Sequence, residues 1–166
     1  MPRFSREELT QAFATFEATV AEAARTRDWD AWVGHYTPDV DYIEHAMGTM
    51  KGRDEVRAWI TTTMGTFPGS YMTEFPSLWS VIDEDTGRVI CELDNPMRDP
   101  GDGTIITATN ISIVTYAGDG LWSRQEDIYN PLRFVQAGMK WCKKAERLGT
   151  LDDEAAAWMR QMGGGK

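Results

Sequence analysis

The second half of the chain constrains the fold most. From Tyr71 onward the apolar residues follow a period of two, and turn chemistry interrupts them at short intervals. The pattern predicts strands at Tyr71–Asp83, Arg88–Asn95, Thr104–Tyr116 and Leu121–Tyr129. Between them lie D-E-D-T-G, P-M-R-D-P-G-D-G and A-G-D-G, all rich in residues that turn a chain. Strands joined by hairpins lie antiparallel, so this half reads as an antiparallel meander. The third strand is long, roughly a dozen residues against a usual five or six. A sheet with such a strand curls, and a curled sheet makes a trough.

Helical periodicity flanks this sheet on both sides. Ser5 and Glu8 have capping-box spacing, and Leu9, Phe13, Phe16 and Val20 then share one face of a helix that runs to about Arg25. A short helix at Asp28–Tyr36 puts Trp29, Trp32, Val33 and Tyr36 on one side and stops before Pro38. A third, from about Arg53 to Met64, turns Val56, Trp59, Ile60 and Met64 inward. After Pro131 come a helix with Phe134, Val135, Met139 and Trp141, reaching about Leu148, and a last one near Leu151–Met162. The latter has Ala155, Trp158, Met159 and Met162 on one side; the G-G-G-K end is expected to be disordered. Helices, then strands, then helices make an α+β domain in which the early helices cover one face of a curved antiparallel sheet. Residues 1–148 are expected to form that domain and 149–166 a C-terminal helical extension.

Between the early helices lies a strand of a different kind, Val40–His45. Val40, Tyr42 and Glu44 share one face; Asp41, Ile43 and His45 share the other. Ionisable groups on a core strand are costly unless partnered or used. Gly48 and Gly52 then bracket a turn or a very short return strand.

Composition narrows the partners. The 166 residues carry 26 acidic against 17 basic side chains, a net charge of −9. Such a surface repels phosphate, so nucleic acid and anionic membranes are not expected partners. Cys91 and Cys142 have no paired spacing, and His35 and His45 stand alone, so neither a disulfide framework nor a metal site is expected. Nothing calls for a cofactor. The start lacks an apolar secretory core and no run could span a bilayer, so a cytoplasmic protein is expected. The triplet Asn110-Ile111-Ser112 matches a glycosylation acceptor, but it falls mid-strand. Seven Trp, six Phe and five Tyr fill a core or line an apolar pocket.

The motif W-x-x-x-Y-T-P-D-V-x-Y, from Trp32 to Tyr42, and the glycine bracket before a helix resemble the SnoaL-like branch of the nuclear transport factor two-like superfamily. Ketosteroid isomerase, scytalone dehydratase, limonene epoxide hydrolase and the polyketide cyclases are its relatives. The resemblance spans about residues 5–130. It implies a cone: three helices close one end of a bent sheet (a cystatin-like α+β roll), and the cavity binds small hydrophobic molecules. It also implies a homodimer through the outer face of the sheet. Glu44 falls where the isomerase has its general-base Asp. Tyr42 falls where the epoxide hydrolase has its water-positioning Tyr, and Asp127 on one of that enzyme's two Asp positions. The Arg and second Asp of that hydrolase are replaced by Leu93 and Asn95. Ser112 stands near the isomerase's second oxyanion carboxyl, and the dehydratase's pair of His is unmatched.

Alternation adds the rest of the site. Asn110, Ser112 and Val114 share a face of the third long strand; Gln125, Asp127 and Tyr129 share one on the last. Facing Tyr42 and Glu44, they would put two carboxyls among hydrogen-bond donors in an apolar trough. The expectation is a cofactor-independent isomerase, dehydratase or cyclase for a small hydrophobic ring compound. Glu44 serves as base and Asp127 as second acid or base, while Tyr42, Tyr129, Asn110 and Ser112 hold an oxyanion. Asn95, Trp59, Trp32 and Phe16 are expected to contact substrate. His45 faces the helices, or, with one residue of slip, the cavity. Three alternatives stand: epoxide hydrolysis with Asp127 activating water, a non-catalytic binding or assembly domain, and carboxyls that simply pair with Arg53, Arg124 or backbone amides at the rim.

Overall fold

The computed structural model describes residues 3–163, so the last three residues of the G-G-G-K end lie outside the described residues. The order is α1 (Arg6–Thr26), α2 (Asp30–Gly34), β1 (Tyr36–Glu44), β2 (Gly48–Lys51) and α3 (Gly52–Gly65). A 3-10 turn at Gly69–Tyr71 leads to β3 (Ser77–Asp83), β4 (Arg88–Asp94), β5 (Thr109–Gly118), β6 (Leu121–Ile128), α4 (Pro131–Leu148) and α5 (Asp153–Gly163). It is an α+β fold with a curved, unclosed sheet in the order β2-β1-β6-β5-β4-β3.

Local chemistry sets the element ends. Ser5 Oγ accepts the Glu8 amide at 3.1 Å and starts α1, whose Leu9, Phe13 and Phe16 are buried. The Asn130 side chain accepts the Leu132 amide and Pro131 opens α4, a position where the missing N–H costs nothing. Gly52 joins β2 to α3 at φ +77°, and a Cβ there would stand 3.0 Å from the Pro38 carbonyl oxygen. Glycine is the residue that tolerates both.

Strands β3 to β6 form the expected antiparallel meander. The sheet is not antiparallel throughout, however. Strand β1 pairs with β6 in parallel: the chain between them crosses over and brings β6 back beside β1 in the same direction. Strand β1 also begins at Tyr36, not Val40. Tyr36 opposes Trp122 instead of closing α2, and the register shift before Asp41 absorbs Pro38, which cannot donate to a ladder. Tyr71–Pro76 makes no strand: Met72 forms one bridge with Met97, which forms another with Ile106. Strand β5 accordingly starts at Thr109 rather than Thr104.

Register assigns faces. Cys91, Ser112, Asp127 and Glu44 are successive cross-strand neighbours, and Val89, Val114, Gln125, Tyr42 and Met50 form a second row on the same side. Directly opposed residues share a face. Helices α1, α2 and α3 cover it, and Phe16, Trp32, Val33, Val56 and Ile60 pack there. A second core lies apart. Trp141, Cys142, Ala145 and Ala155 of α4 and α5 pack against Phe67, Tyr71, Met97 and Ile106. The Arg98 guanidinium sits 3.7 Å over the Tyr71 ring and bonds Asp152 at 2.8 Å. Met162, expected on the buried side of α5, is 43 % exposed.

Candidate active site

The three early helices and the inner face of the sheet leave a cavity of about 110 Å³. A cavity of roughly 150 Å³ holds benzene, so this one has the scale of a single small ring. Its helical wall is Phe13, Phe16, Trp29, Trp32, Trp59 and Ile60; Tyr42, Asn95, Asn110, Ser112, Gln125 and Asp127 come from the sheet side. The Trp59 ring lies 4.8 Å from that of Tyr42.

The polar groups form one directed network ending on Asp127. Asn95 Nδ2 donates to Asn110 Oδ1 at 2.9 Å, Asn110 Nδ2 to Ser112 Oγ at 3.0 Å, and Ser112 Oγ to Asp127 Oδ1. From the other side Tyr42 donates its hydroxyl to Asp127 Oδ2, and Gln125 Nε2 donates to Asp127 Oδ1 at 3.0 Å. Tyr36 in turn donates to Gln125 Oε1. Burial raises the Asp127 carboxyl above its ordinary value; the three donors work against that, and the neighbouring Glu44 carboxylate adds to it. The Tyr42 hydroxyl is pushed well up, first by burial and then by the Asp127 charge. A carboxyl so held can exchange a proton with a ring in the cavity, and among the described residues no Lys, Arg or His lines the cavity to neutralise it.

Of the residues singled out in the sequence, Tyr42, Asp127, Asn95, Asn110, Ser112, Trp32, Trp59 and Phe16 meet at this cavity. Glu44, His45 and Tyr129 do not line it. Glu44 is 3 % exposed, and its Oε2 accepts the amides of Ala46 and Met47 in the turn after β1. The Tyr129 hydroxyl is raised by burial and by the adjacent Glu44 carboxylate. His45 lies beyond the end of β1 on the outer face, with Nε2 2.9 Å from Glu126 Oε1. Glu44 thus pairs with backbone amides, one of the partners the plainer alternative offered, while neither arginine reaches either carboxyl. Arg53 bonds the carbonyls of Gly34 and Tyr36, and Arg124 bonds Glu126. Cys91 lines the cavity with its thiol pushed up to about 12 by burial, which leaves it a poor nucleophile. Among the described residues no three His, Cys, Asp or Glu side chains group as metal ligands.

Glu17 and the polar role of Tyr36 are the two features of the cavity that the strand pattern does not show. Glu17 follows Phe13 by four on α1, a step that marks the same helix face. Tyr36 fits the helical period of α2, so neither its place at the start of β1 nor its bond to Gln125 leaves a local signal.

Residues 16–125 match the SnoaL-like domain family. The chain belongs to that family. None of the curated proteins is significantly similar in sequence. Among solved structures it resembles a candidate isomerase of Bacillus subtilis, with a TM-score of 0.61, 17% identity, and 79% of this chain and 92% of that one covered. A candidate polyketide cyclase of Xanthomonas campestris gives 0.57 at 18% identity, covering 80% and 98%. A nuclear transport factor two-like protein of Anabaena variabilis gives 0.58 at 12%, covering 78% and 95%. These likenesses show the SnoaL-like fold. Chemistry has to be argued from the cavity.

Proposed function

We propose that this SnoaL-like protein is a cofactor-independent acid–base enzyme of the isomerase or cyclase type, with Asp127 as the group that moves the proton. One observation carries the reading: a carboxyl raised by burial, fed by three hydrogen-bond donors, stands in the wall of a ring-sized apolar cavity. Raised carboxyls serve as bases or acids near neutral pH. Ser112, Tyr42 and Gln125 orient Asp127, and the aromatic walls hold a flat ring against it. Isomerases and cyclases of this fold share one need, removal of a proton beside a carbonyl and its return elsewhere. Glu44 takes a supporting part: it raises Asp127 from the neighbouring strand and ties the turn after β1. An epoxide hydrolase of the limonene type draws less support, because among the described residues no arginine lines the cavity.

The reaction can be sought without the natural substrate. Small cyclic ketones in D2O should exchange their α-hydrogens faster with the protein than in buffer, followed by proton NMR. Asp127→Asn should lower that rate by about 10² to 10⁴, while Glu44→Gln should stay within a few-fold of wild type. No acceleration by wild type across the ketone panel would end the acid–base reading.

A further inference from the structure

The cavity wall carries two carboxyls, Asp127 and Glu17. Asp127 is satisfied by Ser112, Tyr42 and Gln125. Glu17 differs. It is half-buried on α1, so it stands where the cavity meets solvent. Its helix neighbours three and four residues away are Phe13, Ala14, Val20 and Ala21, which offer no positive charge. Among the described residues no salt bridge engages it. It lines the same cavity as the buried Cys91. Trp29, Trp32, Trp59 and Phe75 line the same cavity. Ring faces attract cations, and a carboxylate in apolar surroundings without a counter-charge favours a ligand that brings one. A protein of net charge −9 draws the same kind of ligand toward its surface.

We infer that the cavity selects a substrate bearing a protonated or quaternary amine beside its ring, with the amine held by Glu17 and the aromatic faces. The ring then lies deeper, toward Asp127. This rests on the reading that the cavity is the substrate site. It adds the charge of the substrate, which that reading leaves open.

Three benzyl probes test it on the full chain by isothermal titration: benzyltrimethylammonium, its isostere neopentylbenzene (carbon in place of nitrogen) and the anion phenylacetate. The cation should bind at least tenfold more tightly than the neutral probe, and the anion should not bind. Glu17→Gln, with its fold checked by circular dichroism, should reduce that preference to threefold or less. Equal affinity for cation and neutral ring would overturn the amine while leaving the cavity as the site. A preference that survives Glu17→Gln would overturn the role of Glu17. Binding of none of the three would take down the inference and the site together.

Discussion

Asp127 and Glu44 are opposed residues on parallel strands, yet their surroundings separate them. Asp127 faces an apolar void and three side-chain donors; Glu44 is capped by two backbone amides of its own turn. The two carboxyls therefore differ in what they can do, although alternation alone puts both on the inner face. Because burial raises Asp127, the rate of ketone exchange should climb with pH through an apparent pKa above the ordinary 3.8, as the base form appears. Glu44→Gln removes a negative neighbour that raises Asp127, so it should move that limb to lower pH. A limb unmoved in the Gln variant would mean the two charges do not couple.

At the scale of elements, two joints hold the layers in place. Gly52 turns β2 into α3 with φ at +77°. Gly52→Ala should cost about 1–2 kcal/mol, the usual penalty for a side chain in the left-handed region, plus the clash with Pro38, and urea titration would measure it. The second joint ties α5 to the loop before β5. Hydrogen bonding from Tyr71, then from the Ala155 amide, and the Arg98 charge hold the Asp152 carboxyl below its ordinary value, against burial. A carboxyl lowered in the folded state stabilises above its unfolded value and loses that contribution as pH falls through the lower folded one. Asp152→Asn should therefore reduce the Tm at pH 7, and the difference from wild type should shrink below about pH 3.8. An equal deficit at pH 7 and at pH 3 would contradict that account.

The whole molecule shows two faces of one sheet. The inner face is closed by α1–α3 around the cavity. The outer face carries Val81, Ile90, Ile113, Glu126 and Ile43 as successive cross-strand neighbours, with Val81 54 % and Trp79 45 % exposed. The family resemblance leads us to expect a second copy across this surface. Sedimentation should then give a dimer, and Ile113→Glu a monomer with its cavity intact; a monomeric wild type would remove the expectation. Among the described residues no helix is long and apolar enough to cross a membrane.

Sequence alone determined the order of elements, the meander, the helix faces at Leu9, Phe13 and Phe16, and the small set of polar residues on the inner strands. These follow from periods of 3.6 and 2 and from turn chemistry, which are properties of neighbours along the chain. It could not show that β1 runs parallel to β6, since pairing across some eighty residues leaves no local trace. Nor could it decide which carboxyl meets the cavity. Alternation names a face, but depth along the strand depends on where the helices stop covering it, and there Glu44 lies under a turn while Asp127 lies under open space. The chemistry at the centre of this protein is thus a matter of a few ångströms of packing, which only the assembled layers decide.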